Sequence, residues 1–253
     1  MAGNRGWRKW GWVLVFLAPS LIGLLVFMVG PILYSLRLTL YDWNLLSAPV
    51  YIGTGNFEEL YHDAEFWLAF QHTLTYLVFY IPAVLVLALG TALLLNRPLR
   101  GMAFFRAATF VPVVSSWVVV ALMWKWIFNP RYGLLNYLLA QIGISGPAWL
   151  FDPDSALYAI IIASVWKDIG FIAVMYLAGL QSIPKSLIEA AAIDGARPWR
   201  RFWTIVFPLL SPTTFFLLVI NIVYAFFDTF GIIDAATQGG PGKDTSILVY
   251  KVY

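Results

Sequence analysis

Five apolar stretches, each long enough to cross a membrane, constrain the fold of this chain more than any other feature. A membrane-spanning helix needs about 20 predominantly apolar residues. Charged residues make up 11% of the 253 residues, against roughly 25% in soluble domains, so lipid must replace water as the main solvent. The sequence therefore predicts an all-α polytopic membrane protein with one domain over residues 1–253. The predicted spans are Val13–Leu33, Leu68–Leu95, Phe104–Phe128, Ala156–Leu180 and Pro208–Ile233.

The first apolar stretch follows Arg5, Arg8 and Lys9, as the apolar core of a signal peptide would. That core, however, is only about 7–15 residues long and ends in a cleavage site of small residues. The stretch here is longer, and no such site closes it, which favours an uncleaved first helix.

Two later spans contain Pro82 and Pro112. Membrane helices tolerate such prolines because neighbouring helices can bond the freed carbonyls, so kinks without a function of their own are expected.

Basic and acidic loops alternate along the chain, which predicts its orientation because basic loops stay in the cytoplasm. The N-terminus and the loops after the second and fourth spans are basic, and the other loops lean acidic. The N-terminus and the loop after the fourth span are therefore predicted to be cytoplasmic. The basic residues are Arg5, Arg8, Lys9, Arg97, Arg100, Arg106, Lys185, Arg197, Arg200 and Arg201. The acidic residues are Asp42, Glu58, Glu59, Asp63, Glu65, Asp152 and Asp154.

The loop over residues 181–207 has a helical pattern that a mere connector would not need. Apolar residues recur at helical spacing between Ser182 and Ile193, and Gly195 stands where a helix would end. Pro198 suits the first turn of a second short helix. The pattern predicts two short helices at the cytoplasmic surface. They could be a docking element for a separate protein, or amphipathic helices resting on lipid headgroups.

A motif begins in this loop at Glu189 and extends beyond it to a pair of prolines, Pro208 and Pro212. It resembles the EAA motif of the membrane subunits of bacterial binding-protein-dependent ABC importers. The resemblance covers nearly the whole chain and implies the type I importer permease fold in the bacterial inner membrane. The motif residues are Glu189, Ala190, Ala191, Asp194, Gly195, Ala196, Ile205, Pro208 and Pro212.

The resemblance implies a role for each motif residue and a set of partners. Glu189 would contact an ATPase subunit, Asp194 would offer a second carboxylate, and Gly195 would make the turn. The implied partners are a second permease subunit in a heterodimer, two ATPase subunits, an extracytoplasmic solute-binding protein and the lipid bilayer. The partner ATPase would use ATP and Mg²⁺, and this chain itself would bind no cofactor and catalyse no reaction. The residues implied to pack in the ATPase groove are Ala190, Ala191 and Ala196.

Three further segments, Leu180–Pro184, Asn221–Phe230 and Ile233–Pro241, resemble the A-type permease subunits of glycerol-3-phosphate importers. This implies sn-glycerol 3-phosphate or glycerophosphodiesters as the solute. Sugar permeases share much of the pattern, so a sugar or oligosaccharide permease stays open. Members of the family have a sixth helix, and the residues after the fifth predicted span are too few to form one. We therefore expect that the chain is cut before that helix.

Polar residues inside the last two spans are candidates for the translocation path. Asn221, Tyr224 and Asp228 are spaced by three and four residues and share one helix face, which should face a cavity rather than lipid. Lys167 and Asp168 lie midway along the fourth span, where ionisable groups are costly. Lys167 could contact the solute, or a neighbouring helix could satisfy it.

Other classes of protein find less support. A membrane-embedded enzyme needs a convergent nucleophile, base or metal, and none stands out. A secondary transporter usually has inverted repeats, and no clear repeat is present. Gly240–Thr245 lacks the spacing of a phosphate-binding loop. His62 and His72 have no clustered partner, so no metal site is expected. The sequence also has no basic patch of the kind that binds nucleic acid.

Overall fold

The computed structural model describes residues 4–98 and 100–252, with the backbone alone for residues 4–9. The chain divides into two units, Met1–Ala64 and Glu65–Tyr253. Each unit is mostly helical, as a chain in lipid must be when its backbone groups have no water to bond.

The first unit contains one long apolar helix followed by a small polar segment. α1 (Asn4–Leu24), a π-helical turn (Leu25–Val29) and α2 (Gly30–Leu38) follow one another without a break. The π turn lies directly before Gly30 and a proline, where one backbone donor is missing. Beyond it lie β1 (Tyr41–Asp42) and β2 (Val50–Tyr51), paired antiparallel with Tyr41 opposite Tyr51, and then α3 (Gly55–His62).

The second unit is a bundle of helices connected by short turns. A 3₁₀ turn (Trp149–Phe151) precedes its most buried helix, and a π turn (Phe202–Val206) precedes its last long one. The helices are α4 (Ala64–Leu95), α5 (Met102–Val114), α6 (Trp117–Ile127), α7 (Leu134–Gln141), α8 (Pro153–Ser182), α9 (Lys185–Ile193), α10 (Pro198–Arg201), α11 (Phe207–Phe227), α12 (Phe230–Ala236) and α13 (Leu248–Lys251).

Helix α8 is at the centre of this bundle, and α5, α6, α11 and α12 pack against it. Two glycines of α8 permit close approach. A Cβ at Gly170 would overlap the carbonyl oxygen of Thr109 on α5, and a Cβ at Gly179 would lie 3.0 Å from Thr213 on α11. Small residues serve this purpose in membrane bundles, where contact between backbones replaces the hydrophobic effect.

The predicted fold class, an all-α polytopic membrane protein, is confirmed. Within the described residues, four helical stretches are long and apolar enough to cross a membrane: Trp10–Leu38, Ala64–Leu95, Pro153–Ser182 and Pro198–Phe227. A bent pair of helices, α5 with α6, makes a fifth when it is counted as one span. These match the five predicted spans in order.

The third span is not the continuous helix that was predicted over Phe104–Phe128. Its two halves, α5 and α6, meet at 102°. Ser115 and Ser116 between them are extended, and Ser116 Oγ accepts the N–H of Val119 at 3.4 Å to begin α6. Pro112 removes a donor from the last turn of α5, and serines bond to local backbone in non-helical conformations. Pro112 and the serine pair three residues after it therefore break the helix, where the sequence predicted only a kink.

The fifth span also has different bounds from the prediction. It begins at Pro198 and runs through the π turn, so the second short helix predicted in the loop is the start of the span itself. It ends at Phe227 rather than Ile233. Asp228 and Thr229 interrupt it before α12, which fits the poor helix propensity of both residue types.

Candidate functional site

The break between α5 and α6 adjoins a cavity of about 280 Å³ that α8 and α11 complete. All four residues predicted to line a translocation path, Lys167, Asn221, Tyr224 and Asp228, border this one cavity. Their role in translocation stays a prediction, but their common placement does not depend on it. The full lining is Val113, Trp117, Lys167, Asp168, Phe171, Ile172, Ile220, Asn221, Tyr224 and Asp228.

Lys167 directs its ammonium group at the end of α5. Its Nζ donates to the carbonyl oxygens of Pro112 at 3.1 Å, Val113 at 3.1 Å and Ser115 at 2.8 Å. A lysine ammonium has three donors, so these bonds use all of them. The Pro112 carbonyl also accepts the N–H of Ser115, but Val113 and Ser115 lie at the end of α5, where carbonyls lack partners within the helix. The positive charge also suits the negative end of the helix. This geometry favours the structural interpretation of Lys167, satisfaction by a neighbouring helix, over contact with the solute.

The same ammonium group also stabilises the start of α6. Nζ lies 4.8 Å from the ring centroid of Trp117, within the range of a cation–π contact. Trp117 in turn packs closely against α12, since a Cβ at Gly231 would lie 3.2 Å from the Trp117 Cβ. One buried lysine thus connects both halves of the third span.

Asp168, next in the chain, faces a different helix. Tyr80 on α4 donates its hydroxyl to Asp168 Oδ2 at 2.7 Å, and the Tyr80 hydroxyl oxygen also lies 3.3 Å from Asn221 Oδ1. Asn221 donates from Nδ2 to the carbonyl of Leu217 at 2.7 Å and is 2% exposed. A network of hydrogen bonds therefore connects α4, α8 and α11 behind the cavity wall.

The polar stripe on α11 divides into a buried part and an open part. Asn221 is held within the network, whereas Tyr224 is 43% exposed and Asp228 is exposed at the end of the helix. The spacing of these residues correctly predicts a common face. Tyr224 and Asp228 are the members that a molecule in the cavity could reach.

Two residues of this site were not singled out from the sequence. Tyr80 carries the network from α4, and Trp117 lines the cavity at the helix break. The sequence does contain a signal for Trp117. Pro112 and the serine pair Ser115–Ser116 precede it, and prolines and serine pairs often mark a break in a helix. Tyr80 offers no comparable signal, because a tyrosine in an apolar helix is most often packed like any other aromatic residue.

The loop that carries the Glu189 motif contains α9 and a sharp turn. Gly195 has φ +78°, its N–H bonds the carbonyl of Ala192 at 3.1 Å, and the N–H of Ala196 bonds that of Ala191 at 2.9 Å. These are the two bonds of a Schellman motif, in which glycine ends a helix at low steric cost. The predicted helix end at Gly195 is therefore found. Within this loop the exposed motif residues are Glu189, Ala190, Asp194 and Gly195, and the half-buried ones are Ala191 and Ala196.

Large apolar side chains are exposed on both sides of this turn. Ile193 at the end of α9 is 86% exposed, and Trp199 in α10 is 72% exposed. Glu189 lies one turn before Ile193, and Arg200 follows Trp199. The turn thus presents charged, small and apolar groups together.

Comparison with known proteins gives a consistent picture. Residues 73–248 match the family described as the binding-protein-dependent transport system inner membrane component. The sn-glycerol-3-phosphate transport system permease protein UgpA of Brucella abortus is 45% identical over 246 residues, 94% of this chain and 81% of that protein. UgpA of Escherichia coli O6:K15:H31 is 40% identical over 242 residues, again 94% of this chain and 81% of the relative.

A solved structure shares the fold as well. It is a bacterial alginate ABC transporter in complex with an alginate pentasaccharide-bound periplasmic protein. Its matching chain is 27% identical, with a TM-score of 0.78 over 98% of this chain and 85% of that one. Together with the apolar helices and the match over residues 73–248, these similarities show that the chain belongs to the binding-protein-dependent transport system inner membrane component family, as a multi-pass, non-enzymatic permease subunit of an ABC importer.

Proposed function

We propose that this chain and a second permease subunit form the pathway of an importer for sn-glycerol 3-phosphate or glycerophosphodiesters. Two ATPase subunits drive it with ATP and Mg²⁺, and an extracytoplasmic binding protein delivers the solute. The 45% identity with a permease of the sn-glycerol-3-phosphate transport system supports this solute. A sugar or oligosaccharide is the second candidate, because a structurally similar chain, 27% identical in sequence to this one, belongs to an alginate transporter.

The test of the solute is uptake into vesicles that contain the whole importer and its cognate binding protein. We expect ATP-dependent uptake of radiolabelled sn-glycerol 3-phosphate that excess unlabelled sn-glycerol 3-phosphate abolishes and excess maltose leaves unchanged. Competition by maltose or another oligosaccharide, with none by the phosphate ester, would favour the sugar permease instead.

The coupling role is carried by the turn at Gly195. We propose that α9 and this turn seat on an ATPase subunit, with Glu189 and Asp194 facing basic groups of the partner. Ile193 is 86% exposed beside these carboxylates. Exposed apolar side chains among charged ones fit a surface that another protein covers, because contact between apolar side chains and water is unfavourable. The rival, a helix resting on headgroups, would place lipid rather than protein there.

Co-purification tests the coupling role directly. We expect Glu189→Lys to reduce the ATPase recovered with the tagged permease by about tenfold, since repulsion replaces a favourable charge pair at an interface. Glu59→Lys on α3 is the matched control and should leave recovery unchanged. Undiminished recovery with Glu189→Lys would contradict docking at this loop.

The orientation follows from the same assignment. We propose that the N-terminus and the Glu189 loop lie in the cytoplasm, in keeping with their arginines and lysines. The absence of cysteine from the sequence permits a clean test by labelling of single introduced cysteines. With a membrane-impermeant maleimide, Glu59→Cys should react in intact cells, and Lys185→Cys should react only in inverted vesicles. The opposite pattern would reverse the topology.

The cavity beside the helix break is the proposed part of the translocation path. Tyr224 and Asp228 reach it from α11, Asn221 supports its wall, and Lys167 fixes the break at its edge. Tyr224→Leu should lower uptake several-fold while the importer still assembles, because the side chain is exposed. Unchanged uptake would remove Tyr224 from the path. Asn221→Leu is a poorer test, since it also disrupts the buried network.

A further inference from the structure

Two of the ionisable residues that border the cavity are acids, an unexpected composition for the pathway of a phosphate ester. Asp168, Tyr224 and Asp228 lie on its α8 and α11 sides and are called here the acidic wall. We propose that the acidic wall binds the hydroxyl groups of the solute and keeps its phosphate group away. The inference rests on the proposed solute and adds which end of that solute this subunit recognises.

The charges that face the cavity do not suit a phosphate. Lys167 is the one basic residue of the described lining, and its three donors are already bonded to the carbonyls of Pro112, Val113 and Ser115. No ammonium donor is left for a phosphate oxygen. Asp168 and Asp228 would both repel a phosphate dianion within a low-dielectric site, where like charges interact strongly.

Asp228 offers the most accessible group of the acidic wall. It is exposed, and within residues 4–98 and 100–252 its carboxylate has no hydrogen-bond or ion-pair partner. It follows the last residue of α11 and stands two residues before α12 begins, so the dipoles of the two helices act on its charge in opposite senses. Its oxygens accept hydrogen bonds, which solute hydroxyl groups can donate.

The other two members of the wall supply complementary groups. Asp168 Oδ2 accepts from Tyr80 at 2.7 Å, and an ionised carboxylate can accept further bonds. The Tyr224 side chain, 43% exposed, adds a hydroxyl that both donates and accepts. The cavity measures about 280 Å³, near the lower limit of about 300–1,000 Å³ for small-molecule sites, which suits a small polyol. The first turn of α6 borders the cavity at Trp117, and the N–H of Val119 in that turn is already bonded to Ser116 Oγ.

The test compares two solutes that differ in their hydroxyl groups. The complete importer, with its partner permease, ATPases and saturated binding protein, is assayed in proteoliposomes with sn-glycerol 3-phosphate and with propyl phosphate, which lacks both hydroxyls. Asp228→Asn should lower kcat/KM for sn-glycerol 3-phosphate about tenfold, because the amide oxygen still accepts the hydroxyl but lacks the negative charge that strengthens the bond. For propyl phosphate kcat/KM should not fall, because the hydroxyl that would bond Asp228 is missing and the loss of the carboxylate only relieves its repulsion of the phosphate.

Thermal stability separates this role from a structural one. Asp228 lies between the end of α11 and the start of α12, whose dipoles act on its charge in opposite senses, so Asp228→Asn should leave the melting temperature unchanged. Asp234→Asn, the same substitution at an exposed position on α12, is the control and should leave both solutes and the melting temperature unaffected.

The outcomes are distinct. Equal losses for both solutes, no loss for sn-glycerol 3-phosphate, or a loss that follows a lower melting temperature would overturn the acidic wall. A wild-type importer that carries no sn-glycerol 3-phosphate would instead overturn the proposed solute, and this inference with it. A tenfold loss confined to the hydroxylated solute, with stability intact, supports the proposal.

Discussion

The Lys167→Met substitution would remove the ammonium group that bonds three backbone carbonyls at the break in the third span. These carbonyls belong to Pro112, Val113 and Ser115, and the bonds measure 2.8 to 3.1 Å. Methionine keeps the length and apolar character of the lysine stem, so the substitution leaves no large void. The expected effect is therefore the loss of the hydrogen bonds rather than a loss of packing.

The magnitude follows from the number of carbonyls left without a partner. The Pro112 carbonyl also accepts the N–H of Ser115 at 3.2 Å, so the two affected carbonyls are those of Val113 and Ser115. Each buried polar group that loses its partner costs about 1–3 kcal/mol. The cavity beside Lys167 admits water, which can bond some of these oxygens, so the lower figure applies to each. The total for two carbonyls is about 2 kcal/mol, and at about 2–4 °C per kcal/mol for a chain of this size the melting temperature falls by about 4–8 °C.

The assay is thermal unfolding of the detergent-solubilised permease, followed by the fraction that remains monodisperse after heating. Lys125→Met is the matched control, since Lys125 is a half-buried lysine near the end of α6. It should lower the melting temperature by less than about 2 °C, in line with the small effect of substitutions away from buried bonds.

A specific result would refute the structural role of Lys167. If Lys167→Met abolished uptake and left the melting temperature at the wild-type value, the ammonium group would act on the solute. The bonds to the α5 carbonyls would then contribute nothing to stability, contrary to the reasoning above.

Three further substitutions test the packing, the network and the turn. Gly170→Ala should lower the melting temperature by several degrees, because its Cβ would overlap the Thr109 carbonyl, whereas Gly90→Ala, with open space around the new Cβ, should not. Tyr80→Phe should cost about 1–2 kcal/mol in a thermal unfolding assay, since it removes the hydroxyl bonded to Asp168. Gly195→Ala should cost about 1 kcal/mol at φ +78°, seen as weaker ATPase co-purification; full recovery would show that the turn tolerates a side chain.

Membrane insertion depends on properties that a local stretch of sequence possesses by itself. The spans, their order and the fold class follow from apolar length, because a helix in lipid satisfies its own backbone whatever surrounds it. The turn at Gly195 is also local, since its Schellman bonds join residues five positions apart or fewer. These features could be predicted, and the structure has them.

The broken third span shows where local information ends. Pro112 and the two serines after it permit either a kink or a break, and the choice depends on a donor for the freed carbonyls. That donor is Lys167, 52 to 55 residues away in the chain. A sequence pattern does not specify which distant side chain will arrive at a helix end.

The polar stripe on α11 illustrates the same division. A spacing of three and four placed Asn221, Tyr224 and Asp228 on one face from the sequence alone. Only the tertiary structure decided that Asn221 is buried against Tyr80 while Tyr224 and Asp228 stay open to the cavity. Periodicity fixes the direction of a side chain about its own helix axis, but burial and charge pairing depend on the neighbouring helices, which the bundle brings together.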